Sequence, residues 1–115
     1  MIRAAKLHDV LRGSECVSGR GVLVDRLWPR GVAREDMEWE WEPFVAPSPE
    51  LRKWFGHDVD RWEEFRERYR AELAAGAGEA LVGEDDLTLL YGAADRDHNH
   101  AIVLAEWLTE HINNS

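Results

Sequence analysis

Two short runs of almost continuous apolar residues constrain the fold of this chain more than any other feature. Residues 21–27 read GVLVDRL and residues 87–91 read LTLLY, with a glycine at one end of each run. A strand that is covered on both faces, as in a parallel sheet, is apolar along its length instead of alternating. Both runs therefore predict central strands of a parallel sheet, with four residues fully buried: Val22, Val24, Leu89 and Leu90.

Helical signals separate these strands. Ser48 can cap a helix that begins at Pro49, and Gly56 can end it, which predicts a helix over Pro49–Phe55. Asp58 can cap a second helix, in which apolar side chains recur at helical spacing. These side chains are Trp62, Phe65, Tyr69 and Leu73.

The two ends of the chain complete the pattern. Residues 2–7 resemble a further strand, and a last helix is expected to start near Asp97 or His98, with Asp97 as its N-cap. Alternating strands and helices predict an α/β fold with a small, mostly parallel sheet of about three strands covered by helices. We expect residues 1–115 to form one such domain.

Composition excludes several classes of protein. The formal net charge of −9 argues against general nucleic-acid binding, which needs clustered Lys and Arg. A single cysteine, Cys16, can form neither an internal disulfide nor a thiolate zinc site, and it is expected to be an ordinary loop residue. No apolar run approaches the roughly 20 residues that cross a bilayer. We therefore expect a cytoplasmic protein with no membrane association.

Charge is nevertheless distributed unevenly. Residues 1–34 carry seven basic and three acidic side chains, whereas the rest of the chain is strongly acidic. A locally positive cleft within an acidic protein suits a small anionic ligand, because clefts focus the field of nearby charges.

Several blocks of sequence carry a family resemblance. They are residues 24–31 (VDRLWPRG), 46–58 (APSPELRKWFGHD), 61–69, 89–91 and 98–101 (HNHA). With these blocks the chain resembles the YeaO-like family of small bacterial proteins, whose domain has no known function. The resemblance implies a compact α/β domain without an established reaction or cofactor. Longer, distantly similar proteins carry Cys-His-Arg where this chain has Asn99-His100-Ala101, so the resemblance does not imply cysteine chemistry here.

Ligands of open α/β sheets bind at the carboxyl ends of the strands, and two polar blocks fall there. The first contributes Arg26, Trp28 and Arg30, and the second contributes His98, Asn99 and His100. A guanidinium beside a helix N-terminus suits a carboxylate or phosphate. We therefore expect Arg30 and His100 to share a cleft for a small anionic ligand, phosphorylated or nucleotide-like. The structural alternative is that Arg26 pairs with Asp25 or Glu38 and that Trp28 is buried.

Hydrolysis or group transfer in this cleft would need an acid–base group. Histidine is the side chain that titrates near neutral pH, and His100 is the first choice, with Asp95 or Asp97 as the carboxylate that orients it. His57, between a helix end and Asp58, is a further ligand-binding candidate, or it bonds a neighbouring carbonyl.

Two other hypotheses remain open at this point. One is a metal-assisted hydrolase that uses His57, Asp95, His98 and His100, although their spacing matches no strong metal motif, and we predict no bound metal or cofactor. The other is a non-enzymatic interaction module whose docking edge contains Trp39 and Trp41, which alternate with acidic residues. Homo-oligomer formation is left open.

Overall fold

The sheet has four parallel strands in the order β1-β4-β2-β3. The computed structural model describes the backbone of residues 1–113 and the side chains of residues 1–112. The strands are β1 (Ile2–Lys6), β2 (Arg20–Leu23), β3 (Glu40–Trp41) and β4 (Leu87–Tyr91). The helices are α1 (Leu7–Leu11), α2 (Pro49–Phe55), α3 (Trp62–Glu72) and α4 (His100–Asn113). The α/β class with a small parallel sheet is confirmed.

Both faces of the central strands are covered, as their apolar sequences predict. Val22, Val24 and Leu89 face the larger hydrophobic cluster, and Leu90 faces a smaller one on the opposite side. All four side chains have 0% exposure, so their expected burial is confirmed. Strand β2 nevertheless ends at Leu23, so the second half of the 21–27 run lies outside the strand. The sheet is the middle layer between two apolar clusters.

Helices α2, α3 and α4 cover the face with the larger cluster. Phe55 of α2 stacks on Phe65 of α3 with ring centroids 4.3 Å apart, and the buried Tyr69 hydroxyl donates to the Val45 carbonyl at 2.5 Å. Helix α2 has the predicted bounds, because the Ser48 hydroxyl accepts from the Leu51 amide and Gly56 ends the helix in a left-handed conformation. No helix within the described residues is long and apolar enough to cross a membrane.

The opposite face is covered by α1 and by aromatic side chains from the segment between β2 and β3. Trp39 packs so closely on Gly21 that a Cβ there would lie 2.4 Å from its Cδ1 atom. The indole N–H of Trp41 donates to the Asp25 carbonyl at 2.7 Å. Both side chains are half-buried on this cluster, so they close the core where the interaction hypothesis expected an exposed edge.

Three local expectations need correction. The fourth strand, β3, was not predicted, because two residues give too short a pattern to indicate a strand. Leu7 begins α1 instead of ending a strand. The last helix begins at His100, since the Asn99 side chain accepts from the Ile102 amide as its cap, in place of Asp97.

An ion cluster fixes the loop that leads into α4. Asp9 in α1 is only 8% exposed, and its carboxylate accepts from Arg96 at 2.8 and 2.9 Å and from Arg12 at 2.8 Å. Hydrogen bonds from Arg96, and then from Arg12, hold the pKa of Asp9 well below its ordinary value of 3.8. The cluster ties residues 92–99 to the first helix.

We expect Asp9→Asn to lower the melting temperature at neutral pH, because the two guanidinium groups lose their shared carboxylate. A depressed carboxylate pKa stabilises the fold above pH 3.8 and loses that contribution as the pH falls toward the folded-state value. The melting temperatures of Asp9→Asn and the unaltered protein should therefore converge in acid. Asp36→Asn, at an exposed carboxylate, is the control. A difference that is constant with pH would contradict this assignment.

Candidate functional site

A cavity of about 150 Å³ lies where β2 and β4 end and α4 begins. Three residues of its lining are exposed at the surface: Leu27, Arg52 and His57. Its lining combines an apolar wall with polar side chains from both strand ends and from α2. The lining residues are Asp25, Arg26, Leu27, Ala46, Pro47, Arg52, Phe55, His57, Phe65, Ala93, His98, Asn99 and His100.

Asp25 and His100 form a pair at the inner end of this cavity. One carboxylate oxygen of Asp25, Oδ2, accepts from the Gly92 amide at 2.9 Å. The other, Oδ1, lies 3.3 Å from Nε2 of His100 and is buried without a hydrogen bond. Burial raises the pKa of Asp25, against the opposing effect of the neighbouring His100. The side chains are 18% and 16% exposed, respectively, so solvent screens this pair only weakly.

The proton on the His100 ring has a defined position. Nε2 lies 2.9 Å from the Val24 carbonyl, which can only accept, so Nε2 carries the hydrogen. Burial lowers the pKa of His100, and the Asp25 charge opposes that shift. In the neutral ring Nδ1 is then an acceptor. Within the described residues, Nδ1 has no hydrogen-bond partner and is not fully buried, and the His100 ring lines the cavity.

Two arginines bring positive charge to the cavity. Arg26 donates to the carbonyls of Ala46 and Pro47, both at 3.2 Å, which fixes its guanidinium without neutralising it. Arg52 extends from α2, and its charge favours the ionised form of Asp25 and the neutral form of His100. Neither guanidinium forms an ion pair with a carboxylate in the part of the chain that is described.

Two further histidines stand at the cavity wall. His57 follows Gly56 and has a positive φ of 59°, an uncommon conformation for a residue with a side chain. His98 lies edge-on to Trp62, with centroids 5.3 Å apart, and its Nδ1 is 3.0 Å from Oδ2 of Asp95. The backbone amide of Asp97 donates a hydrogen bond to the Asp95 carboxylate. This bond, and then the one with the His98 side chain, holds the pKa of Asp95 below its ordinary value.

The structure brings together five of the residues predicted to form the site. These lining residues are Arg26, His57, His98, Asn99 and His100. Asn99 is only 2% exposed, and its main contacts are structural, because it caps α4 and donates to the Asp95 carbonyl. The structural alternative for Arg26 needs correction too, since its partners are carbonyls instead of Asp25 or Glu38.

Three predicted site residues lie outside the cavity lining. Trp28 packs on the opposite face of the sheet, where its N–H donates to the Val32 carbonyl at 2.8 Å. Arg30 is exposed beside α1, and its carbonyl accepts from His8 at 3.1 Å, so the structure does not place Arg30 in one cavity with His100. Asp95 contacts His98, which leaves Asp25 as the carboxylate next to His100.

Sequence reasoning missed Asp25 and Arg52 as members of the site. Asp25 directly follows a buried strand, the position from which polar side chains reach a strand-end cleft. Arg52 has no acidic residue three or four positions away, unlike the arginines of α3, so no helical ion pair was available to it. Both signals were present in the sequence, although neither identifies a site by itself.

The described residues do not support the metal hypothesis. No group of three or more His, Cys, Asp and Glu side chains in this part of the chain could hold a metal ion. His98 and His100 turn to different partners, Asp95 and Val24, because they lie on either side of the residue that caps α4. Cys16 is exposed and is not part of the cavity lining.

Comparison with known proteins identifies relatives without an assigned activity. The chain is 42% identical over 113 residues to the uncharacterized protein YeaO of Escherichia coli (strain K12), covering 93% of this chain and 96% of YeaO. It is 36% identical over 112 residues to the uncharacterized proteins Rv3073c of Mycobacterium tuberculosis and Mb3100c of Mycobacterium bovis, covering 93% of this chain and 92% of each relative. No solved structure gives a significant match.

The family match covers residues 1–115. It confirms the resemblance that the blocks around Trp28 and His100 indicated. The chain belongs to the YeaO-like family that is described as the inactive DUF488-N3 subclade.

Proposed function

We propose that this protein binds a small anionic ligand, a phosphorylated or nucleotide-like compound, in the cavity beside Asp25 and His100. The observation that carries the proposal is the presence of two arginines, Arg26 and Arg52, whose charges no carboxylate neutralises by an ion pair within the described residues. An anion entering the cavity would meet both of them.

Most of the other arginines of this protein differ from Arg26 and Arg52, because they form ion pairs with carboxylates. The sequence has twelve arginines in a chain of net charge −9. In the part of the chain that the structure describes, eight of them form ion pairs with Asp or Glu: Arg3, Arg12, Arg20, Arg61, Arg66, Arg68, Arg70 and Arg96. Arg34 lies over the Trp28 ring instead, 4.7 Å from its centroid. With so many acids available, two unpaired guanidinium groups at one cavity favour an anionic ligand.

The size of the cavity limits the ligand. About 150 Å³ matches the volume of an engineered protein cavity that holds benzene. This space suits a phosphate or carboxylate group with a few further atoms, so the rest of a nucleotide would extend past Leu27 toward solvent. Phe55 and Phe65 supply an apolar wall against which the uncharged part of a ligand can rest.

The proposed function is binding. Hydrolysis or group transfer would in addition need His100 as the acid–base group. The described lining contains no hydroxyl or thiol nucleophile. His100 supplies an acceptor nitrogen, and Asp25 stands behind the ring where it would stabilise a transferred proton. The family description as inactive agrees with a protein that retains a binding cavity without a nucleophile of these types.

Replacing Arg52 tests the proposal most directly. We expect Arg52→Ala to weaken binding of inorganic phosphate, or of a singly protonated nucleoside monophosphate at about pH 6, by about 10- to 100-fold, since one charge-assisted hydrogen bond is lost. The melting temperature of the empty protein should barely change, because the exposed side chain has no ion-pair partner among the described residues. Isothermal titration calorimetry measures the first effect and differential scanning calorimetry the second.

Arg30→Ala is the matched control, because it removes the same charge from an exposed arginine outside the cavity. It should leave the affinity for either anion within about twofold, as expected for a screened distant charge. Equal losses in the two variants would point to a nonspecific charge effect. No detectable binding of any small anion by the unaltered protein would disprove the proposed function.

The proton position of His100 provides a second prediction. Nitrogen-15 NMR should find the neutral ring with its hydrogen on Nε2, and a pKa below the ordinary value of 6.5 because the ring is buried. Asp25→Asn should lower that pKa further, since the carboxylate favours the charged imidazolium. A hydrogen on Nδ1, or a pKa that rises in Asp25→Asn, would contradict the assigned geometry.

A further inference from the structure

The polar groups that face the cavity differ in kind as well as in charge. Arg52 and Arg26 offer donors, whereas Nδ1 of neutral His100 offers only an acceptor. A ligand that satisfies both kinds of group must combine negative oxygens with a hydrogen-bond donor. This requirement distinguishes anions that have the same size and charge.

We propose that the cavity selects oxyanions that carry their own O–H group, so that it binds protonated phosphate and rejects sulfate. This inference rests on the proposed anion binding. The matching ligands are inorganic phosphate and phosphate monoesters in their singly protonated form. Sulfate and fully ionised phosphate monoesters lack such an O–H group, so we expect the cavity to bind them weakly.

The acceptor character of Nδ1 follows from the contact at Nε2 together with the burial that favours the neutral ring. The Val24 carbonyl, 2.9 Å from Nε2, cannot donate, so the single hydrogen of the neutral ring stays on Nε2. The ring is held in this orientation by the start of α4 and by edge-on contact with Tyr69, whose centroid lies 6.3 Å away. Rotation of the ring would leave the Val24 carbonyl without its donor.

Sulfate and phosphate provide a clean comparison at this acceptor. At about pH 8 both are tetrahedral dianions, but phosphate keeps one O–H and sulfate has none. A sulfate oxygen placed against Nδ1 would oppose one lone pair with another, whereas the phosphate O–H could donate to this nitrogen. An acceptor left without a donor in a half-buried site should cost sulfate about 10- to 100-fold in affinity.

The experiment titrates the protein with inorganic phosphate, sulfate and methyl phosphate at about pH 8 and constant ionic strength. We expect phosphate to bind about 10- to 100-fold more tightly than the other two, which lack an O–H at this pH. Arg52→Ala should weaken phosphate and sulfate alike and keep their ratio, because charge does not distinguish them. His100→Leu should reduce the ratio toward one, because the acceptor is gone.

A second measurement uses the unaltered protein, so the test does not depend on whether the His100→Leu variant folds. Phosphate should shift the nitrogen-15 resonance of Nδ1 as a hydrogen bond forms, and sulfate at saturation should not. Equal affinities for phosphate and sulfate would overturn the selectivity while the proposed function stands. Tight binding of methyl phosphate at about pH 8 would also overturn it. Absence of binding by all three anions would remove both proposals.

Discussion

The contact between Asp25, Gly92 and His100 joins the three elements on which the site depends. The carboxylate follows β2, accepts from the amide that follows β4, and meets the ring that begins α4. A Cβ at position 92 would lie 2.8 Å from Oδ2, so a larger residue there would displace this carboxylate. Because the two strands are parallel neighbours, their carboxyl ends meet here, and a buried carboxylate can bridge them.

The ion pairs of the described residues leave two arginines of the cavity lining without a carboxylate partner. Exposed ion pairs stabilise a fold weakly, with typical contributions of up to about 1 kcal/mol each. Their effect on the electrostatic field is larger, because each paired arginine is neutralised locally. The arginines of α3 are paired along or across helices, whereas Arg52 and Arg26 keep their charge at the cavity. These two unpaired positive charges therefore stand together in a chain whose net charge is −9.

The start of α4 carries an amide side chain directly before His100. Asn99 caps the helix with its side-chain oxygen. A thiol at a helix N-terminus has a lowered pKa and is a good nucleophile, whereas an amide is inert. The residue that caps α4 is therefore not a nucleophile.

The sequence by itself determined the layer architecture, the central strands and the bounds of α2. These features depend on local patterns: continuous apolar runs, a serine cap and a terminating glycine. The tertiary structure decided which polar residues share the cavity. Arg30 and Trp28 follow the same strand as Asp25, yet one is exposed beside α1 and the other packs on the opposite face. The sequence shows that a residue follows a strand, but the direction of its side chain depends on the loop's path and on packing by distant residues.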